Sequence, residues 1–310
     1  MNQAAWTTVD ERGSRAGLWL TAWFYRLFGR RLSGWFILPI VAYFFVTDRR
    51  GRHASRRYLE RVYALPAGAR ALGHRPTLRD GFRHYHQFGL VTIDRLRFTL
   101  GSRDVEIVLH GREHFTPLLA AKRGAVLLGA HLGSFDALRV LAAREGIAVN
   151  VLMVTRHAPR INAVLRRLNP GIDFRVIEHA ADALETVSRL RACVDRGEFV
   201  AILGDRVGDG RRARVVRAPF LGSPAPFPPG PFVLASALAC PILFMVGLRR
   251  TPTMYEVFAE PLAREIQLPP SERVGRLADL TRRYAERLET YCVEAPYQWF
   301  NFFDFWAEGR

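Results

Sequence analysis

The sequence predicts an α/β sandwich: a mixed, largely parallel sheet flanked by helices, preceded by an N-terminal helical membrane-anchoring segment. Three observations point there. From residue 105 onward, short apolar runs alternate with helical stretches. The run Ala125–Gly129 (AVLLG) is apolar throughout, as a strand covered on both faces is. The N-terminal region is instead aromatic, aliphatic and poor in charge. With 49% hydrophobic and 24% charged residues in 310, the chain has the material for a sizeable core, which excludes disorder, collagen and a polytopic membrane protein.

The anchor candidate is Leu32–Thr47, 16 residues without a charge, between Arg30-Arg31 and Asp48-Arg49-Arg50. It is slightly shorter than the roughly 20 residues that cross a bilayer. It therefore either spans or lies in the interface as a bent hairpin around Pro39, with Arg26 and Arg30 snorkelling. A buried helical hairpin is the plain alternative. No small-residue cleavage site follows it, which disfavours a signal peptide. Arg49, Arg50, Arg52, Arg56, Arg57 and Arg61 follow it and favour a cytoplasmic body. Residues 1–50 are thus expected to form a membrane-associated segment and 51–310 a single domain.

Within that domain two helical stretches, separated by Pro66, Gly73 and Pro76, fill Ser55 to Leu100, the second over Leu78–Thr99. Strands are expected at Val105–Leu109, Ala125–Gly129, Ala148–Val154, Phe199–Leu203, Ile242–Leu248 and Glu256–Ala259. Helices are expected at Ser134–Glu145, Pro159–Leu168, Ala181–Arg196, Phe232–Ala239 and Leu277–Val293. The Pro-rich stretch Pro219–Pro231 reads as an ordered loop beside a site.

The balance of 45 Lys+Arg against 29 Asp+Glu gives +16, carried almost wholly by arginine, since Lys122 is the only lysine. Anionic partners follow. Nucleic acid is not favoured, because the arginines are spread along the chain and no recognition motif appears. A non-enzymatic protein binding anionic membrane or nucleic acid remains the alternative to an enzyme. Cys193, Cys240 and Cys292 have neither disulfide-framework nor metal-ligand spacing, which favours a reducing compartment; no metal and no cofactor is expected.

The chemistry concentrates after the AVLLG run. His131 falls in the turn beyond the strand, Ser134 is a good N-cap, and Asp136 lies in the first helical turn. From there the Asp136 carboxylate is expected to fold back on the imidazole, fix its tautomer and raise the basicity of its free nitrogen. Backbone N–H groups near Gly133 and Ser134 would meet developing negative charge. Asp205 and Arg206, after the FVAIL strand, stand where α/β sites form. Arg156 and Arg160 either hold a phosphate group or stand at a solvated helix start. Arg211, Arg212, Arg214 and Arg217 form either a solvated run or a dock for an acidic carrier.

The segment Ala125–Arg139, with its His-x4-Asp motif, resembles the first conserved block of the lipid A biosynthesis (late) acyltransferase family, within the lysophospholipid acyltransferase superfamily. Val154-Thr-Arg156 with Pro159 and Asn162, Gly204-Asp205, Phe220-Leu-Gly222 with Pro241, and Pro296-Tyr-Gln298-Trp299 resemble the later blocks. The resemblance covers roughly 105–300 and the anchor. It implies an acyltransferase-type sandwich, His131 as base with Asp136, and direct attack by the acceptor. It implies an acyl carrier protein or acyl-CoA donor, a lipid or glycolipid acceptor, and residence at the inner membrane facing the cytoplasm. Three departures stand out: Arg206 replaces a usual Gln, Phe227-Pro-Pro-Gly230 replaces a Thr/Ser-containing loop, and Phe302-Phe-Asp304-Phe-Trp306 replaces a His-Arg pair. The aromatic ending is similar to variants accompanying aryl polyene and related lipid pathways. The added cation at Arg206 is expected to bind an anionic group of the acceptor or of the phosphopantetheine arm.

Overall fold

The computed structural model describes residues 15–101, 104–153, 175–178, 183–207 and 214–307. Four helices come first: α1 (Arg15–Thr47), α2 (Arg49–Ala64), α3 (Pro66–Leu72) and α4 (Leu78–Thr99). Then come β1 (Glu106–His110), α5 (Thr116–Ala120), β2 (Val126–Gly129), α6 (Phe135–Arg144), β3 (Val149–Met153), β4 (Val176–Glu178), α7 (Ala183–Asp195) and β5 (Phe199–Leu203). The chain continues through β6 (Val216–Phe220), β7 (Ser223–Phe227), α8 (Gly230–Leu238), β8 (Ile242–Thr251), β9 (Met254–Ala263) and α9 (Arg273–Glu294). The helix expected at Pro159–Leu168 lies outside the described residues.

Seven strands form one sheet in the order β1-β9-β8-β2-β5-β3-β4. Every neighbouring pair is parallel except β8–β9, so the sheet is mixed and mostly parallel. Because successive strand residues point to opposite faces, Val126 and Leu128 join the core under α9, while Leu127, Ala201, Leu243 and Met245 join the core under α6. Both sets are buried, which explains the unbroken apolar runs.

The Pro-rich stretch is not a loop. It builds the antiparallel hairpin β6–β7, turning at Leu221 (φ +49°) and Gly222 (φ +75°). Two successive residues at positive φ are what a tight hairpin turn demands. A two-stranded ribbon has only edges, so Pro219, Pro224 and Pro226 cost it few ladder bonds. Ala218, Phe220, Ala225 and Phe227 face inward.

The N-terminal helix corrects the anchor expectation in two respects. Among the described residues no helix is long and apolar enough to cross a membrane. The bend falls at Gly29 (φ +66°, ψ −169°), a conformation open chiefly to glycine, while Pro39 sits inside the helical stretch. One face of the charge-free run is occupied: Ile37, Val41 and Phe45 are buried with Tyr85 and Ile93 of α4. Gly89 permits this approach, since a Cβ there would stand 2.8 Å from Val41 Cγ2. The opposite face carries Trp35, Tyr43 and Val46 at 73%, 63% and 70% exposure.

α2, α4 and the segment after α9 are locked together by His84, which is fully buried. Its Nε2 donates to the Trp299 carbonyl (2.8 Å), so Nδ1 is left to accept from the Ser55 hydroxyl (2.9 Å). Burial lowers its pKa to about 4, against a smaller upward pull from the Trp299 carbonyl. Below about pH 6.5 the unfolded chain takes up a proton that native His84 refuses, so this contribution to stability is lost as pH falls from about 6.5 towards 4. Urea unfolding at pH 7 and pH 5 should show a pH-dependent loss about 2 kcal/mol smaller in His84→Gln than in the wild type. An identical pH dependence in the two proteins would contradict this.

Candidate active site

β2 lies at the centre of the sheet, paired in parallel with β5 and β8, so its C-terminal end opens beside theirs. Three backbone links fix the turn that follows. The Phe300 N–H donates to the His131 carbonyl (2.7 Å), the Gly133 N–H to the Gln298 carbonyl (2.8 Å), and the Ser134 N–H to the Gly247 carbonyl (2.7 Å). Gly133 is at φ +67°, and a Cβ there would stand 2.1 Å from the Gly247 oxygen, so the position requires glycine. Ser134 caps α6, its hydroxyl accepting from the Ala137 N–H (3.2 Å). The amides of Gly133 and Ser134 are therefore committed to backbone carbonyls, contrary to the expectation that they would meet a developing oxyanion.

The imidazole's partner is Asp205, one residue beyond the Gly204 that follows β5. His131 Nδ1 lies 2.7 Å from Asp205 Oδ1, and the His131 backbone N–H donates to Oδ2 (2.9 Å). Trp299 Nε1 (2.9 Å) and Asn301 Nδ2 (3.0 Å) also donate to Oδ2. The Asp205 side chain is wholly buried. Burial pushes its carboxyl up, but the His131 charge and hydrogen bonds, helped by Arg206, override this and hold it at about 2. The His131 pKa is lowered, by burial first and by the Arg206 charge second, with Asp205 pulling the other way. At neutral pH the orienter is thus ionised and the ring neutral, its proton on Nδ1. The ring is 27% exposed, and among the described residues Nε2 has no protein partner.

Asp136 is engaged elsewhere. Its carboxylate sits 3.3 Å from Arg95 Nε of α4 and 3.2 Å from an Arg139 terminal nitrogen one turn along α6. The first-turn position the sequence indicated is right, but the carboxylate faces α4 and docks α6 to it. Arg206 also corrects its expectation. Its Nε donates to Asn301 Oδ1 (2.9 Å), a terminal nitrogen donates to the Phe300 carbonyl (3.2 Å), and the guanidinium lies 5.7 Å from the centre of the Phe303 ring. It is built into the wall beneath the base. Arg156 and Arg160 lie outside the described residues, as do Arg211 and Arg212 of the basic run.

Trp299 and Asn301 are the site residues that sequence reasoning missed. Trp299 closes the Pro296-Tyr-Gln298-Trp299 segment, to which the sequence assigns no site role, and it is 1% exposed, packed on Tyr58, Phe220 and Phe305 with ring centres 5.0–5.3 Å apart. Nothing local marks Asn301.

An apolar cavity of about 140 Å³ runs under α6 on the sheet face opposite α9. Its lining includes Gly129 and Phe135, which bracket His131 in the chain, together with Leu127, Ala201 and Met245. Arg112 and Glu145, which pair at 2.7 and 2.8 Å, also line it.

A neutral imidazole held by a buried carboxylate at the C-terminal ends of parallel strands suits removal of a proton from a nucleophile attacking an acyl group. No curated protein matches the sequence. The family description "Bacterial lipid A biosynthesis acyltransferase" matches residues 18–307, nearly the whole chain, and the protein belongs to that acyltransferase family.

Proposed function

We propose that this acyltransferase works at a membrane surface, moving a fatty acyl group from an acyl thioester to a hydroxyl or amine of a lipid or glycolipid acceptor. The bond between His131 Nδ1 and Asp205 carries the reading. With Nδ1 holding its proton against Asp205, Nε2 takes the acceptor's proton as the acceptor oxygen or nitrogen bonds to the thioester carbon. The tetrahedral intermediate then collapses, the C–S bond breaks, and the proton on Nε2 passes to the leaving thiolate. The acyl chain occupies the cavity under α6. A chain of net charge +16 attracts an anionic donor, and acyl carrier protein, an acidic protein, is the one we favour, with the polyanionic acyl-CoA as the alternative. The aromatic ending does not identify the acceptor: Phe303, Phe305 and Trp306 are core residues.

Five of the large hydrophobic side chains that stand exposed, Trp23, Leu27, Trp35, Tyr43 and Val46, belong to α1. Aromatic and aliphatic side chains on one face, next to the arginines of α2, suit a helix lying in the headgroup region. This supports an interfacial anchor at the inner membrane, with the catalytic body on the cytoplasmic side.

Steady-state turnover should fall on the order of 10²–10⁴-fold in both His131→Ala and Asp205→Asn. Asp136→Asn should lose at least tenfold less turnover than Asp205→Asn and unfold at lower temperature, because it removes the ion pairs from α6 to Arg95 and Arg139. Equal losses in the two Asp variants would overturn the assignment of the orienter. Ala142→Phe, which intrudes on the cavity from a half-buried position, should shift preference towards shorter acyl donors; an unchanged chain-length profile would place the acyl chain elsewhere. Trp35→Ser/Tyr43→Ser/Val46→Ser should reduce partition onto anionic vesicles by about tenfold or more while leaving the fold intact. Wild-type partition by this variant would show that another surface docks.

A further inference from the structure

The Asn301 amide points its nitrogen at Asp205. A side-chain amide can present either end. Asn301 is 2% exposed and stands between two groups of opposite demand. The Asp205 carboxylate only accepts, and the Arg206 guanidinium only donates. With Arg206 Nε 2.9 Å from Asn301 Oδ1, the amide oxygen is claimed and Nδ2 must face Oδ2 of Asp205, 3.0 Å away.

We propose that Arg206 is a positioning residue: it holds Asn301 in the one amide orientation that donates to Asp205, and so fixes the carboxylate that orients His131. The relay runs Arg206–Asn301–Asp205–His131 through three consecutive hydrogen bonds. Arg206 is further held by the Phe300 carbonyl, whose own N–H donates to the His131 carbonyl. The same side chain therefore braces the base from both its ring and its backbone. Its second effect is electrostatic, because its charge favours the neutral imidazole. The other groups around the ring do not duplicate this. Asp205 acts in the opposite sense. From α9, Tyr284 donates to the Gly129 carbonyl, and burial keeps its hydroxyl protonated. Asp136, in the following helix, is paired with Arg95 and Arg139. The segment Gln298–Asn301 carries no charge.

The charge and the hydrogen bond separate experimentally. Arg206→Gln retains an N–H donor for Asn301 but removes the charge, whereas Arg206→Leu removes both, and Asn301→Leu cuts the relay with the cation in place. This inference rests on His131 being the base, so protonation of His131 is read without turnover: diethyl pyrocarbonate modifies the neutral ring, and mass spectrometry of the His131 peptide follows its rate against pH. Arg206→Gln should move that titration, and the acid limb of kcat, to higher pH, with plateau kcat within about threefold of wild type. Arg206→Leu and Asn301→Leu should each lower plateau kcat on the order of tenfold, the usual size for loss of a group that orients a reacting one, with KM for donor and acceptor little changed. Circular dichroism establishes that the variants are folded. An unmoved His131 titration in Arg206→Gln, or a loss confined to KM, would overturn the positioning role and return Arg206 to substrate contact. If instead His131→Ala kept wild-type turnover, the base assignment would fail while the modification titration still decided what Arg206 does to the ring.

Discussion

The structure turns on one buried carboxylate. An ionised side chain with no exposure costs several kcal/mol unless donors surround it. Asp205 accepts four hydrogen bonds, two from His131 and one each from Trp299 and Asn301. Those donors come from two distant parts of the chain, the turn after β2 and the segment after α9. Satisfying Asp205 therefore closes the C-terminal segment over the ends of the central strands. Trp299, pinned by its indole nitrogen, becomes the post around which Tyr58 of α2, Phe220 of the hairpin and Phe305 pack. The aromatic core and the catalytic geometry are thus consequences of the same charge.

The electrostatics follow from that arrangement. Asp205 stays ionised because its donors outweigh its desolvation. His131 stays neutral because burial and the neighbouring guanidinium outweigh the attraction of Asp205. An orienting anion and a neutral acceptor nitrogen coexist at physiological pH, which is the state a general base needs before substrate arrives. The cavity under α6 is lined by Gly129 at the same strand end, two residues before His131.

Much of this was legible in the sequence. The strands at Ala125–Gly129 and Phe199–Leu203 were visible as short unbroken apolar runs, and they set His131 and Asp205 side by side because β2 and β5 are parallel neighbours. Ser134 announced the start of α6. The partner of His131 was not legible, and the expected Asp136 is not it. Sequence spacing favours a partner five residues away, whereas the structural partner lies 74 residues along the chain, and only strand order brings it close. The hairpin at Val216–Phe227 was hidden by prolines, which read as loop until the two-residue turn at Leu221-Gly222 is seen. In α1 the burial of Ile37, Val41 and Phe45 at four-residue intervals competes with the mean apolarity that suggested a span, and α4 takes that face.

The central claim is that Asp205, not Asp136, holds the proton on Nδ1 of His131. Nitrogen-15-edited proton NMR of the imidazole N–H, with His131 identified by its absence in His131→Ala, tests it directly. The account predicts a slowly exchanging, downfield Nδ1–H resonance at neutral pH that persists in Asp136→Asn and is lost or moved sharply upfield in Asp205→Asn. A resonance that survives Asp205→Asn and disappears in Asp136→Asn would contradict it.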